Sequence, residues 1–170
     1  MAALPTGMVE PQAMLAWLNR IGIAASSSKI GGIVYDKLCR RIDRVLIPLT
    51  GARLAMGPPG QTLLLTTTGA KSGKPRVASL AYLNEGDDLV IIASKGGAPV
   101  HPGWYHNLKA DPHTRVQHRG GSEERIAREA TGEERDRLYA RMGGTFANFL
   151  AYQERATNRR IPVMLLSKPQ

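Results

Sequence analysis

The stretch LLLTTTGAKSGKPRV at residues 63–77 leaves this chain few ways to fold. Leu63 to Leu65 followed by Thr66 to Thr68 is an apolar and then β-branched run, which favours a pleated backbone. Gly69 and Gly73 bracket a turn of small residues and permit positive φ or close backbone approach. Pro75 suppresses helix at Lys74. The reading is therefore strand, small turn, second strand. Lys71, Ser72 and Lys74 lie inside the turn and Arg76 follows it. Cations, a hydroxyl and freed backbone N–H groups on one bend suit a phosphate, though the same composition describes a solvated hairpin tip. The spacing is not that of a Walker A loop, because three residues separate the glycines and a proline stands where a helix would start.

The remaining strands follow from similar runs. Val77 to Leu83 reads as the second strand, Gly86-Asp87-Asp88 as a turn and Leu89 to Ser94 as a third, strongly apolar strand. SKGGAP at 94–99 is a small-residue loop with one cation, Lys95. HPGWYHNLKAD at 101–111 reads as a short helix with a proline at its start and Pro112 beyond its end. Residues 114–119 and 123–130 form a strand pair joined by Gly120-Gly121. Thr131 with Glu134 makes a capping box opening a helix to about Gln153, weakened at Gly143-Gly144. Ile161 to Leu166 is the last strand.

The first sixty residues differ. A helix is expected from Pro11, with Met14, Leu15, Leu18 and Ile21 on one face. A second is expected from about Ile30 to Leu46, with Val34, Leu38, Ile42 and Val45 as its apolar stripe and Lys37, Arg40, Arg41 and Arg44 around it. Residues 51–60 read as a linker. Seven Lys/Arg against three Asp/Glu in this region suit either a solvated helix face or anionic lipid. The expected division is a helical extension over 1–60 and a barrel domain over 61–170. Five or six short strands with turn-sized gaps, flanked by helices, give an α+β class: a mostly antiparallel small barrel with helices outside.

Composition narrows the function. The chain has 170 residues, enough for one real core, and a formal charge of +9, which favours an anionic partner. Aromatics at 5% argue against a base-stacking nucleic-acid surface. Cys39 is the single cysteine, so no internal disulfide forms. Neither a signal peptide nor an apolar run of about 20 residues is present, so the expected location is cytoplasmic, with peripheral contact to the inner membrane face through residues 11–50 as the further expectation. His101, His106, His113 and His118 match no zinc spacing and no metal is expected.

LLLTTTGAKSGKPRV, ASKGGA at 93–98 and PGWYHNLKADP at 102–112 occur in the order and spacing that resemble the deazaflavin-dependent nitroreductase family, the flavin/deazaflavin oxidoreductases of split β-barrel, FMN-binding-like fold. NRRIPV at 158–163 resembles that family's closing strand. The resemblance covers roughly residues 60–167. It implies coenzyme F420, an 8-hydroxy-5-deazaflavin with a phosphate and an oligoglutamate tail, whose reduced form passes a hydride to quinones, nitro compounds or activated alkenes. Carried over, it implies that Lys71, Ser72 and Arg76, with Lys74 at the rim, hold the phosphate and acidic tail. Ala93, Ser94 and Lys95 would line the deazaflavin ring, and Pro102, Trp104 and Asn107 would frame the far side of the cleft. Ser94 or Tyr152 would orient or protonate the acceptor. Ala70 stands where relatives often carry arginine, and Ala81, Phe146 and Phe149 stand where relatives carry pocket aromatics or tyrosines. The acceptor pocket is thus expected to be more apolar than in tyrosine-rich relatives. Tyr82, next to Ala81, should point to the opposite face.

Two other readings stay open on the sequence: an FMN-dependent reductase on the same barrel, and a non-enzymatic basic domain that binds acidic lipid. FMN has one phosphate and no glutamate tail, so it needs fewer cations.

Overall fold

The computed structural model describes residues 60–169, together with Arg41, Ile42, Val45 and Leu49, which are helical. The expected helix from Pro11, Cys39, most of the 30–46 helix and the 51–59 linker lie outside the described residues.

Among the described residues, seven strands form one antiparallel sheet: β1 (Thr62–Thr68), β2 (Pro75–Ala81), β3 (Leu83–Glu85), β4 (Asp88–Ile92), β5 (His113–His118), β6 (Gly121–Glu129) and β7 (Val163–Ser167). Their spatial order is β2-β1-β5-β6-β7-β4-β3. The expected second strand, Val77 to Leu83, is two strands, broken at Tyr82. Its first part pairs with β1 (Thr62 opposite Ala81, Thr68 opposite Pro75) and its second with β4 (Leu83 opposite Val90). The two edges of the sheet are therefore consecutive pieces of one bent stretch of chain. This curls the sheet into a split barrel and limits its free edge.

Turn chemistry fixes the registers. His118 opposes Gly121 across Arg119-Gly120, with φ of 46 and 84, as a two-residue type I′ hairpin requires. The sequence reading placed this turn one residue later. Gly86, at φ 59, opens the β3–β4 turn.

The strong apolar runs are explained by burial on both faces. Leu89, Ile91 and Ala93 with Met164 and Leu166 face the barrel interior, alongside Leu63, Leu65, Tyr82 and Val116. Val90 and Ile92 with Val163 and Leu165 face outward onto a second core. Helix α1 (Gly103–Ala110) adds Trp104 and Leu108 to the interior. Helices α2 (Gly132–Thr145) and α3 (Asn148–Arg155) cover the outer face with Leu138, Tyr139, Met142 and Phe149. Each such fully buried side chain contributes roughly 1.5–3 kcal/mol of transfer free energy.

The expected single helix to Gln153 is two helices. It runs through Gly143 and Gly144 and breaks at Phe146 and Ala147. A Cβ at Gly143 would collide with the Leu150 side chain, so the glycine admits the returning helix. Thr131 is the N-cap of α2 as expected, but it makes no side-chain capping bond. Glu134 instead receives both Arg128 Nη atoms at 2.7 Å. The capping box is replaced by a cross-element ion pair.

Candidate functional site

The first wall of the site is the loop between β1 and β2. Gly69 N–H donates to the Lys74 carbonyl at 2.9 Å, and the N–H groups of Ser72 and Gly73 both donate to the Gly69 carbonyl. The two glycines have different roles. A Cβ on Gly69 would lie 2.7 Å from Ser72 Oγ and 3.0 Å from the Lys74 carbonyl, whereas Gly73 needs only its φ of 63. Ser72 Oγ accepts from the Arg76 guanidinium at 3.4 Å and from Lys74 N–H at 3.4 Å. Lys71, Ser72, Lys74 and Arg76 are all exposed. Among the described residues none of these three cations has a carboxylate partner. Several surface cations elsewhere do have such partners: Arg115 with Glu124, Arg128 with Glu134, Arg137 with Glu85.

The loop is anchored from α1. Asn107 accepts from Ala70 N–H at 3.0 Å and donates to Thr67 Oγ1 at 2.9 Å. Its carboxamide is thus committed to the first wall. Trp104 is 8% exposed and belongs to the barrel interior. Pro102 is the N-cap of α1 and is buried.

The second wall is the turn after β4. Ala93 is fully buried and Ser94 is 8% exposed, while Lys95 is exposed with φ 49. Gly97, at φ 80, sits against α3: a Cβ there would lie 2.8 Å from both the Tyr152 carbonyl and Arg155 Cβ. Its lack of a side chain admits α3, whereas at Gly96 the space is open.

Arg159 underlies this turn. Its Nε donates to the Ala98 carbonyl (3.0 Å), its Nη2 to the Ser94 carbonyl (2.8 Å), and its Nη1 to the Ala93 carbonyl (3.3 Å) and to His101 Nδ1 (3.0 Å). Burial lowers the His101 pKa, and the adjacent Arg159 charge adds to that, so the ring is a neutral acceptor near pH 7. His101 leads into α1, so hydrogen bonds run from the turn through α1 to the hairpin loop. The structure brings the three motif stretches into one connected corner.

The apolar side is formed at the outer core. Phe149 is buried, and Ala81, Phe146 and Tyr152 pack against the same cluster. Phe149 meets Phe146 at 6.0 Å and Tyr152 at 5.4 Å between ring centroids. Tyr152 is half-buried and its hydroxyl accepts from Asn148 Nδ2 at 2.9 Å. Tyr82 points the other way, into the interior, with 0% exposure.

Sequence reasoning assigned no role to Arg159, Asn148, Arg135 or Gln153. Arg135, 8% exposed, donates to the Ile161 carbonyl, and Gln153 accepts from Ile161 N–H at 2.9 Å. Together they hold the segment that carries Arg159. Arg159 stands beside the exposed Arg160 in an unpatterned connector, and nothing in the local sequence separates the two. The histidines also differ from one another: His118 bridges Tyr82 and Glu123, while His101 and His106 pack around Tyr105. Among the described residues no three metal-ligating side chains converge. No described helix is long and apolar enough to cross a membrane.

Residues 39–168 match the family model of F420H(2)-dependent quinone reductases. An F420H(2)-dependent quinone reductase of Mycobacterium tuberculosis is 42% identical over 121 residues, covering 69% of this chain and 79% of the relative. Among solved structures, an F420-H2 dependent reductase is similar at 41% identity and a TM-score of 0.58, covering 63% of this chain and 94% of that one. A second structure, described as a domain-swapped dimer, is 36% identical with a TM-score of 0.61.

Proposed function

Given that the chain belongs to the F420H(2)-dependent quinone reductase family, we propose that the connected corner described above is where its cofactor and acceptor meet. The protein is an oxidoreductase that uses coenzyme F420 and takes quinone-type acceptors. When bound, the reduced deazaflavin supplies the hydride, which is why the chain needs no triad or metal of its own.

The donor set suits that group. A phosphate and a tail of carboxylates call for several exposed cations without competing acids, as at Lys71, Lys74 and Arg76. Charge-assisted bonds of this type contribute roughly 1.5–3 kcal/mol each. Ser72 would add a hydroxyl. Ala93, Ser94 and Lys95 would line the planar ring, with Pro102 and Trp104 behind it as rigid support and Asn107 holding the hairpin loop in place. Phe146, Phe149 and Ala81 would wall an apolar acceptor slot. Ser94 Oγ and the Asn148-oriented Tyr152 hydroxyl would steer the acceptor or hand it a proton.

The observation that carries this reading is three cations without carboxylate partners on one bend, whose backbone is held by Asn107 of α1 close to the turn after β4. Titration of oxidised coenzyme F420 tests it. Lys71→Ala and Arg76→Ala should each weaken binding about tenfold or more, with thermal stability unchanged. FMN, run alongside, should bind far more weakly. Tight FMN binding with no response to either substitution would sink the assignment.

Residues 1–60 are read as an extension outside the barrel domain, with cytoplasmic location and contact to an anionic membrane face. The support is that Val45 and Leu49, one helical turn apart, are 59% and 78% exposed near Arg41. Flotation with anionic and neutral vesicles checks this, and equal recovery on both would reject it.

A further inference from the structure

We propose that Arg159 is a positioning residue that sets the backbone of Ser94 and Lys95 so that their N–H groups point as a donor pair toward the bound deazaflavin ring. The inference rests on the cofactor assignment above.

The turn has an unusual backbone. Ser94 is right-handed (φ −69, ψ −42), whereas Lys95 (φ 49) and Gly96 (φ 67, ψ 21) are left-handed. A right-to-left succession gathers consecutive N–H groups into an anion-accepting concavity. For Gly96 this conformation is free, but an L-residue such as Lys95 resists it. Something must therefore impose it.

Arg159 provides the constraint. The Ala93 and Ser94 carbonyls both receive its guanidinium. No peptide bond among the described residues is cis, and in a trans peptide the N–H points opposite to its carbonyl. The N–H groups of Ser94 and Lys95 must then face away from Arg159. Among the described residues, neither N–H has a protein acceptor. Both are left for a ligand.

The N–H donors of Arg159 are spent on neutral groups. Its neighbours are three carbonyls, the neutral His101 ring and the Tyr139 phenol on α2. Lys95 and Arg155 are further cations of this corner, and Arg155 Cβ lies close to where a Gly97 side chain would be. Glu129, the acid whose charge reaches His101, is itself bonded to Lys109 and Tyr105. Burial depresses the Arg159 pKa, yet no described carboxylate compensates its charge. The turn thus combines aligned N–H donors with an uncancelled positive charge behind them, which favours negative charge on the ring.

Two measurements on the full-length protein test this. The first needs no cofactor: backbone chemical shifts should report Lys95 as left-handed in the wild type and shifted toward an ordinary conformation in Arg159→Lys and Arg159→Gln. The second uses oxidised coenzyme F420 and follows, by absorbance, ionisation of its ring hydroxyl in the bound state. The midpoint should lie lower on the wild-type protein than in free cofactor. It should move back toward the free value in both Arg159 variants, with affinity down about tenfold. Lys71→Ala should lose affinity and keep the wild-type midpoint.

Wild-type behaviour in Arg159→Lys on both measurements would overturn the positioning role, since lysine keeps the charge but not the fork. If coenzyme F420 fails to bind the wild type, the cofactor assignment falls, while the Lys95 shifts still decide whether Arg159 sets the turn.

Discussion

The 69–74 loop and the 93–98 turn both combine glycine with lysine, and they are built in opposite ways. In the loop, the cations are exposed and the backbone is held by a neutral amide, Asn107. In the turn, a half-buried guanidinium holds the backbone and most of the segment is covered. A cation on the surface of a site remains available to a ligand. A cation beneath it has its N–H donors committed to shaping the chain and reaches a ligand only through its charge. The basic character of a segment therefore does not reveal what its charges are for.

Glycine substitution should separate the two regions most strongly. Gly97→Ala forces a Cβ within 2.8 Å of α3 backbone at φ 80 and should cost about 2–4 kcal/mol by chemical denaturation. Gly73→Ala at φ 63 meets no atom within 4 Å and should cost only about 1 kcal/mol. Equal costs would break the contrast. Between these in size, Asn107→Leu removes the anchor of the loop while keeping volume. It should weaken coenzyme F420 binding about tenfold and leave the Lys95 backbone shifts unaltered; a change at Lys95 would mean the two walls are one mechanical unit.

The smallest expected effect is on pH. The His101 pKa is depressed below its ordinary 6.5, first by burial and then by Arg159. A depressed folded-state value means that the stabilisation is present above the unfolded pKa and is lost as pH falls through the folded one. The protein should therefore lose stability as pH falls below 6.5, read as a falling thermal midpoint. His101→Asn, which keeps a polar side chain that does not titrate, should flatten that slope. An unchanged slope would show that the turn does not depend on this contact.

Much of the site was legible locally. Gly69 and Gly73, the proline before Arg76, the strand alternation that sends Tyr82 inward and Ala81 outward, and the Pro102 start of α1 all follow from adjacent residues. The break at Tyr82 was not legible, because β2 and β3 differ only in which distant strand each pairs with. Nor was the loss of the capping box, since Glu134 had a stronger partner across the fold in Arg128.

What the sequence alone determined is the set of conformations open to each short segment: where the backbone turns, where it must be pleated and which residues carry charge. Those depend on sterics and pattern over a few residues. What only the tertiary structure decided is which polar groups are already satisfied. Arg159 reaches carbonyls 61 to 66 residues away and Asn107 a loop 37 to 40 residues away. A hydrogen bond depends on distances of about 3 Å in space, and that proximity exists only after the barrel has closed.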